Sequence, residues 1–245
     1  MIVSAKPVVV ISKCLEFDKC RYNGEIISSP EVARLKPLLN FITICPEMET
    51  GLSVPRHPVR IISHEKKHRL LQPDTGRDIT SAMNAFLDTF FAKLQVVDGF
   101  ILKEKSPSCG TRKTKIYPGP GKVPPLALGA GFFGSAALKR FPHLPIESEE
   151  RLTDSSIKEH FLTRLFAVFR FRLLKQSPSF SRLEDFQARH KPLFMAYNRE
   201  ETLILEDIAA NRKKKPLAEA LAEYEPHFYK VFAKIPHTSK DLLSR

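Results

Sequence analysis

Long apolar runs are missing from this chain. No stretch approaches the eighteen or so uncharged apolar residues of a membrane span, and the most apolar one, Phe161 to Leu174, is interrupted by Arg164, Arg170 and Arg172, which excludes a crossing. Cysteine is scarce: Cys14, Cys20, Cys45 and Cys109 are the full set, too few and too dispersed for a disulfide scaffold. Met1 to Val10 lacks a signal peptide's apolar core and cleavage site, so a reducing, cytoplasmic compartment is expected. No Cys-x2-Cys pair is present to announce structural zinc, and no repeat period marks a solenoid. Acid is short relative to base, with 27 Asp and Glu against 39 Lys and Arg, a net charge of +12 and a pI near 9.6. Such an excess favours nucleic acid or another polyanion as partner.

What is present reads as two segments. Up to about residue 150, short apolar runs alternate with amphipathic stretches, the pattern of a mostly parallel, three-layer α/β domain. Lys6–Ile11, Phe41–Ile44, Val59–Ile62 and Gly99–Leu102 are expected strands of that sheet. Ser29-Pro30-Glu31 caps a helix running to about Leu39, Asp78-Ile79-Thr80 opens a long one, and Gly131 to Arg140 is expected to pack back on the sheet. From 151 to 245 the periodicity is helical throughout, giving a smaller all-α domain of short helices broken at Pro178, Pro192, Pro216, Pro226 and Pro236. Each segment carries +6, so the shorter, helical one is denser in positive charge.

The four cysteines stand beside Pro, Gly or charge, where an inert core cysteine is uncommon. Cys14, Cys45 and Cys109 each follow an expected strand, and ligands of open parallel sheets sit at the carboxyl ends of strands. Nearby Lys13, Lys19, Arg21, Lys105 and Arg112 are expected to favour thiolate. Thiolates supplied by separate loops suit an iron–sulfur cluster better than one tetrahedral ion.

The motifs that hold these cysteines are Ser12-Lys13-Cys14, Cys20-Arg21-Tyr22-Asn23-Gly24, Cys45-Pro46-Glu47 and Ser106-Pro107-Ser108-Cys109-Gly110. Together they resemble those of the thiouracil desulfidase family, over roughly residues 5 to 145. The remainder, from about Asp154, resembles the helical YbgA-type domain fused to that domain in bacterial tRNA 4-thiouridine desulfidases. The resemblance implies a [4Fe-4S] cluster on Cys14, Cys45 and Cys109 with its fourth iron open to substrate sulfur, and Cys20 as a neighbouring thiol. It departs at Leu15-Glu16-Phe17, where the family commonly has a small apolar pair and glycine. The helical domain is expected to be incomplete at Arg245, with part of an RNA-binding surface missing.

An open iron is a soft Lewis acid and a thiocarbonyl sulfur a soft donor, so sulfur is exchanged for water's oxygen without net redox. Glu47 is the expected general acid/base. Ser106 is expected either to orient water or substrate or to cap its turn. Lys105, Arg112, Lys113 and Lys115, with Lys103 and Lys122, surround Cys109 with only Glu104 opposing them, and with Arg212, Lys213 and Lys214 they are the expected phosphate contacts. Tyr22, Phe132 or Phe133 are candidates to stack a flipped base, though aromatics beside a sheet are more often core. Gly129-x-Gly131-x-x-Gly134 follows a proline-rich loop and reads as close helix packing, not a dinucleotide site. His64 and His68 lack the H-E-x-x-H context and read as surface. The expected activity is desulfidation of 4-thiouridine in tRNA; alternatives are desulfidation of free thiouracil or its nucleotide, and a non-enzymatic RNA-binding iron–sulfur or zinc sensor.

Overall fold

The structure, a computed structural model, describes residues 5–64, 67–211 and 213–236. It divides into two compact units, 1–154 and 155–245. In the first, β1 (Val8–Ser12), β2 (Asn40–Ile44), β5 (Gly99–Leu102) and β8 (Ile146–Ser148) form a parallel sheet in the order β2-β1-β5-β8. The chain builds β2 on one side of β1 and later β5 on the other, so the sheet's topology switches at β1 and leaves a crevice at the carboxyl ends. The Val-Val-Val-Ile run of β1 is legible as a central strand because both its faces are covered; Val9, Val10 and Ile11 are wholly buried.

The second sheet is mixed. The strand expected at Val59–Ile62 is β3 (Arg60–His64), and it belongs here, not to the parallel sheet. It pairs antiparallel with β4 (Lys67–Leu71) and parallel with β6 (Thr114–Tyr117), which pairs in turn with β7 (Ala127–Gly129). Both its edges are thus occupied before any strand of the first sheet can reach it.

Helix α1 (Pro30–Leu35) begins as expected, with Ser29 Oγ accepting from the Val32 amide. Then come α2 (Pro46–Glu49), α3 (Thr80–Lys93) and α4 (Phe132–Arg140). The last two meet through Phe91 and Phe133, stacked at 5.1 Å. Phe133 is therefore core and cannot stack a substrate base, and Phe132 packs against the same core.

The second unit contains α5 (Ser155–Gln176), α6 (Phe180–Tyr197), α7 (Arg199–Ala209) and α8 (Leu217–Val231). Pro192 and Pro226 do not end helices as expected; they lie inside α6 and α8. An interior proline costs about 3 kcal/mol, which is offset here by burial on both sides: Phe186 and Phe194 flank Pro192, and Tyr224 and Phe228 flank Pro226. Phe171 and Phe228 stack at 4.7 Å in the same core. Among the described residues no helix is long and apolar enough to cross a membrane.

Candidate functional site

Cys14 lies in the turn after β1, Cys45 immediately after β2 at the head of α2, and Cys109 in the loop between β5 and β6. With Cys20 they line one cavity of about 270 Å³, together with Glu47, Arg56, Ser106 and Tyr22. All four cysteines are free. Cys45 Sγ donates to the Cys20 carbonyl at 3.7 Å, and Ser12, at the end of β1, takes the Lys103 amide at 2.9 Å.

Cys20, Cys45 and Cys109 are not primed as thiolates by the neighbouring cations. Lys13 pairs with Asp18, Arg21 with Glu25 and Lys105 with Glu150, so three of the five charges expected to act on sulfur are engaged elsewhere. The bond from Cys14 pushes Cys20 up to about 11, the bond from Cys20 followed by burial pushes Cys45 up, and burial pushes Cys109 up. A metal group entering this site must displace protons.

Glu47 is buried, and its ion-pair partner is Arg56. Arg56 Nε donates to Oε2 at 2.8 Å and Nη2 approaches it to 2.7 Å, while Ser108 Oγ donates to Oε1 at 3.0 Å. Arg56 also donates to the Cys20 carbonyl at 3.1 Å, tying the carboxylate to the cysteine turn. Ser106 caps its loop: its Oγ accepts from the amides of Ser108 (3.2 Å) and Cys109 (3.0 Å). The same hydroxyl also bonds the Cys109 thiol and so, against burial, holds that sulfur's pKa down.

One carboxylate in the Cys109 loop has a role that the sequence reading did not assign. Glu104, the single acid in a basic run, is buried and accepts through Oε1 from the amides of Lys105, Thr111, Arg112 and Lys113 and through Oε2 from the Thr111 hydroxyl. Burial alone raises its pKa, but the Thr111 hydroxyl and the backbone amides outweigh it and hold the carboxyl at about 2. The glycine set bears on the same loop. Amides at the start of α4 donate to carbonyls of this loop, Gly131 to Gly110 and Phe133 to Ser108, both at 2.8 Å. A Cβ on Gly134 would meet the carbonyl oxygens of Gly110 and Cys109 at 2.1 and 2.6 Å. Close packing, as expected, explains the glycines.

The basic rim is more neutralised than expected. Besides Glu104, Glu149 pairs with Lys103, and Glu150 with Lys105 and, at 3.9 Å, Lys113. Lys105 lines the cavity, whereas Arg112, Lys113 and Lys115 are exposed and do not. Lys213 and Lys214 are exposed in the second unit, and Arg212 lies outside the described residues. His68 is exposed as expected; the side chain of His64 lies outside the described residues. Tyr22 is 41% exposed at the cavity mouth. At the unusual Leu15-Glu16-Phe17, Leu15 is fully buried and Glu16, at φ +68°, accepts the Ser29 amide at 2.5 Å. That bond anchors the turn.

Residues 9–149, more than half of the chain, match the 2-thiouracil desulfurase family. The chain belongs to that family. The chain is similar to the uncharacterized protein YbbK of Bacillus subtilis (strain 168), 33% identical over 111 residues, with 42% of this chain and 74% of that protein covered. A solved structure of the [4Fe-4S]-dependent thiouracil desulfidase TudS is 29% identical and covers 60% of this chain and 94% of that one, at a TM-score of 0.45. Residues 191–242 match a protein family of unknown function, DUF1722. Membership of the desulfurase family supports an enzyme acting on a thiouracil.

Proposed function

We propose that the chain removes sulfur from 4-thiouridine carried in tRNA, using a [4Fe-4S] cluster held by Cys14, Cys45 and Cys109 with Cys20 beside it. The observation that carries this reading is the single cavity in which four free thiols meet a buried, doubly held carboxylate. The donors fit such a cluster: they are soft, come from separate loops and line one cavity. When bound, the cluster supplies a soft Lewis acid for the thiocarbonyl sulfur.

The overall change is water plus thiocarbonyl to carbonyl plus hydrogen sulfide, with no electron gained or lost. Glu47, oriented by Arg56 and Ser108, accepts a proton from the attacking water and returns it as the adduct collapses. Ser106, which lines the same cavity, fixes the Cys109 loop by taking its amides. Tyr22, exposed at the mouth, offers a face for the base.

The RNA part of the reading is supported by the +12 charge and by the helical second unit, read here as a YbgA-type domain. The pairing of Lys103, Lys105 and Lys113 with Glu149 and Glu150 favours a second reading, free thiouracil as substrate, because it thins the positive rim. Salt separates the two. Turnover of thiolated tRNA should fall steeply as salt rises while turnover of free 4-thiouracil barely changes; a preference for the free base at every salt concentration would replace the tRNA reading with the second.

A further inference from the structure

The helical unit carries a cavity of its own. It measures about 720 Å³ and opens between α5 and α6, lined by Arg170, Arg182, Arg189 and His190 over the apolar Phe186 and Leu193. The three arginines are exposed, and among the described residues none of them makes an ion pair. Arg182 donates to the Ser177 carbonyl, and Arg170 reaches His190 Nε2 at 3.5 Å. Three lysines of this unit, by contrast, are matched: Lys175 with Glu225, Lys191 with Glu206, and Lys215 with Glu219 and Glu223. One exposed acid, Asp185, shares the cavity wall, which leaves positive charge in excess.

His190 is built into this wall. Its Nδ1 faces the Phe186 carbonyl at 2.8 Å and must donate to it, which leaves Nε2 as the acceptor facing Arg170. Burial, with the Arg170 and Arg189 charges, keeps the ring neutral. A neutral acceptor orients the Arg170 guanidinium without neutralising it.

Guanidinium forks match phosphate oxygens in geometry, and unpaired charge on a concave wall concentrates anions. Arg182 and Arg189 stand two helical turns apart, roughly 10 Å along α6, with Arg170 across from them on α5. That spread suits successive phosphates of one strand better than a single ion. We propose that this cavity binds the phosphodiester backbone of the RNA that carries the thiolated base, which rests on the RNA reading above.

The test compares the full chain with Arg170→Gln/Arg182→Gln/Arg189→Gln and with a control of equal charge loss, Lys67→Gln/Lys93→Gln/Lys139→Gln. Binding of unmodified tRNA is measured by fluorescence anisotropy across a salt series, and binding of inorganic phosphate by calorimetry. The arginine variant should bind tRNA at least tenfold more weakly, with the log–log salt slope reduced by about 2 to 3 for three lost phosphate contacts; the control should lose far less. Equal loss in both variants would make net charge the cause and overturn the site. So would unchanged tRNA binding in the arginine variant, and if inorganic phosphate alone then bound in an arginine-dependent way, the ligand would be a small phosphate compound. Failure of the unsubstituted chain to bind tRNA would instead remove the RNA reading itself.

Discussion

Replacing Glu104 by Gln removes the charge on which the Cys109 loop is wound while keeping side-chain size. One carboxylate holds four backbone amides and a hydroxyl, and a carboxyl held at about 2 instead of the ordinary 4.5 corresponds to about 3 kcal/mol of stability at neutral pH. The amide would also turn an NH2 group towards groups that themselves donate. Because the folded-state pKa is depressed, the contribution is fully present above the unfolded value and is lost as pH falls through the folded one. Urea unfolding followed by circular dichroism at pH 7 should therefore show Glu104→Gln less stable by about 2 to 4 kcal/mol. That gap should narrow between pH 4.5 and pH 2 as the native carboxyl is protonated. Iron retained per chain should fall in parallel, since the loop presents Cys109. A variant within about 0.5 kcal/mol of the parent, or a gap that does not change with pH, would refute the reasoning.

Ser at Cys14, Cys45 or Cys109 should abolish both bound iron and turnover, whereas Cys20→Ser should leave a partly loaded site; equal losses in all four, by iron analysis, would mean the ligands are misassigned. Glu47→Gln should retain iron and slow turnover by roughly 10²- to 10⁴-fold, and an unchanged rate would move the proton-transfer role to another group. Gly134→Ala should cost about 1 to 3 kcal/mol and reduce iron loading, because the new Cβ lands 2.1 Å from the Gly110 carbonyl oxygen; a neutral effect in denaturant would show that α4 can shift freely off the loop.

The cysteine crevice was legible because Cys14, Cys45 and Cys109 each come after an apolar run, and runs such as Val9–Ile11 and Phe100–Leu102, buried throughout, can hardly be read as anything but central strands. The second sheet was not. Residues 67–71 are Lys-His-Arg-Leu-Leu with three exposed positions, β7 and β8 are three residues each, and β3 reads like any other buried run until its partners are known. The buried Glu47 demands a partner, but nothing local names Arg56, which arrives from a loop nine positions on. Glu104 showed in the sequence only as a lone acid among Lys103, Lys105, Arg112, Lys113 and Lys115. Its pairing with backbone amides is a property of the loop's curl, which composition does not encode. Pro192 and Pro226 misled because local propensity was outweighed by the aromatic core around them.

The central claim, that the four-thiol crevice is an iron–sulfur desulfidase site, is tested most directly by incubating anaerobically purified full chain with 4-thiouracil and quantifying uracil and sulfide, with metal counted on the same sample. The account predicts brown protein with about four irons per chain that forms uracil and sulfide in equal amounts. Colourless protein holding a single zinc, or iron-loaded protein that forms no uracil from either the free base or thiolated tRNA, would contradict it.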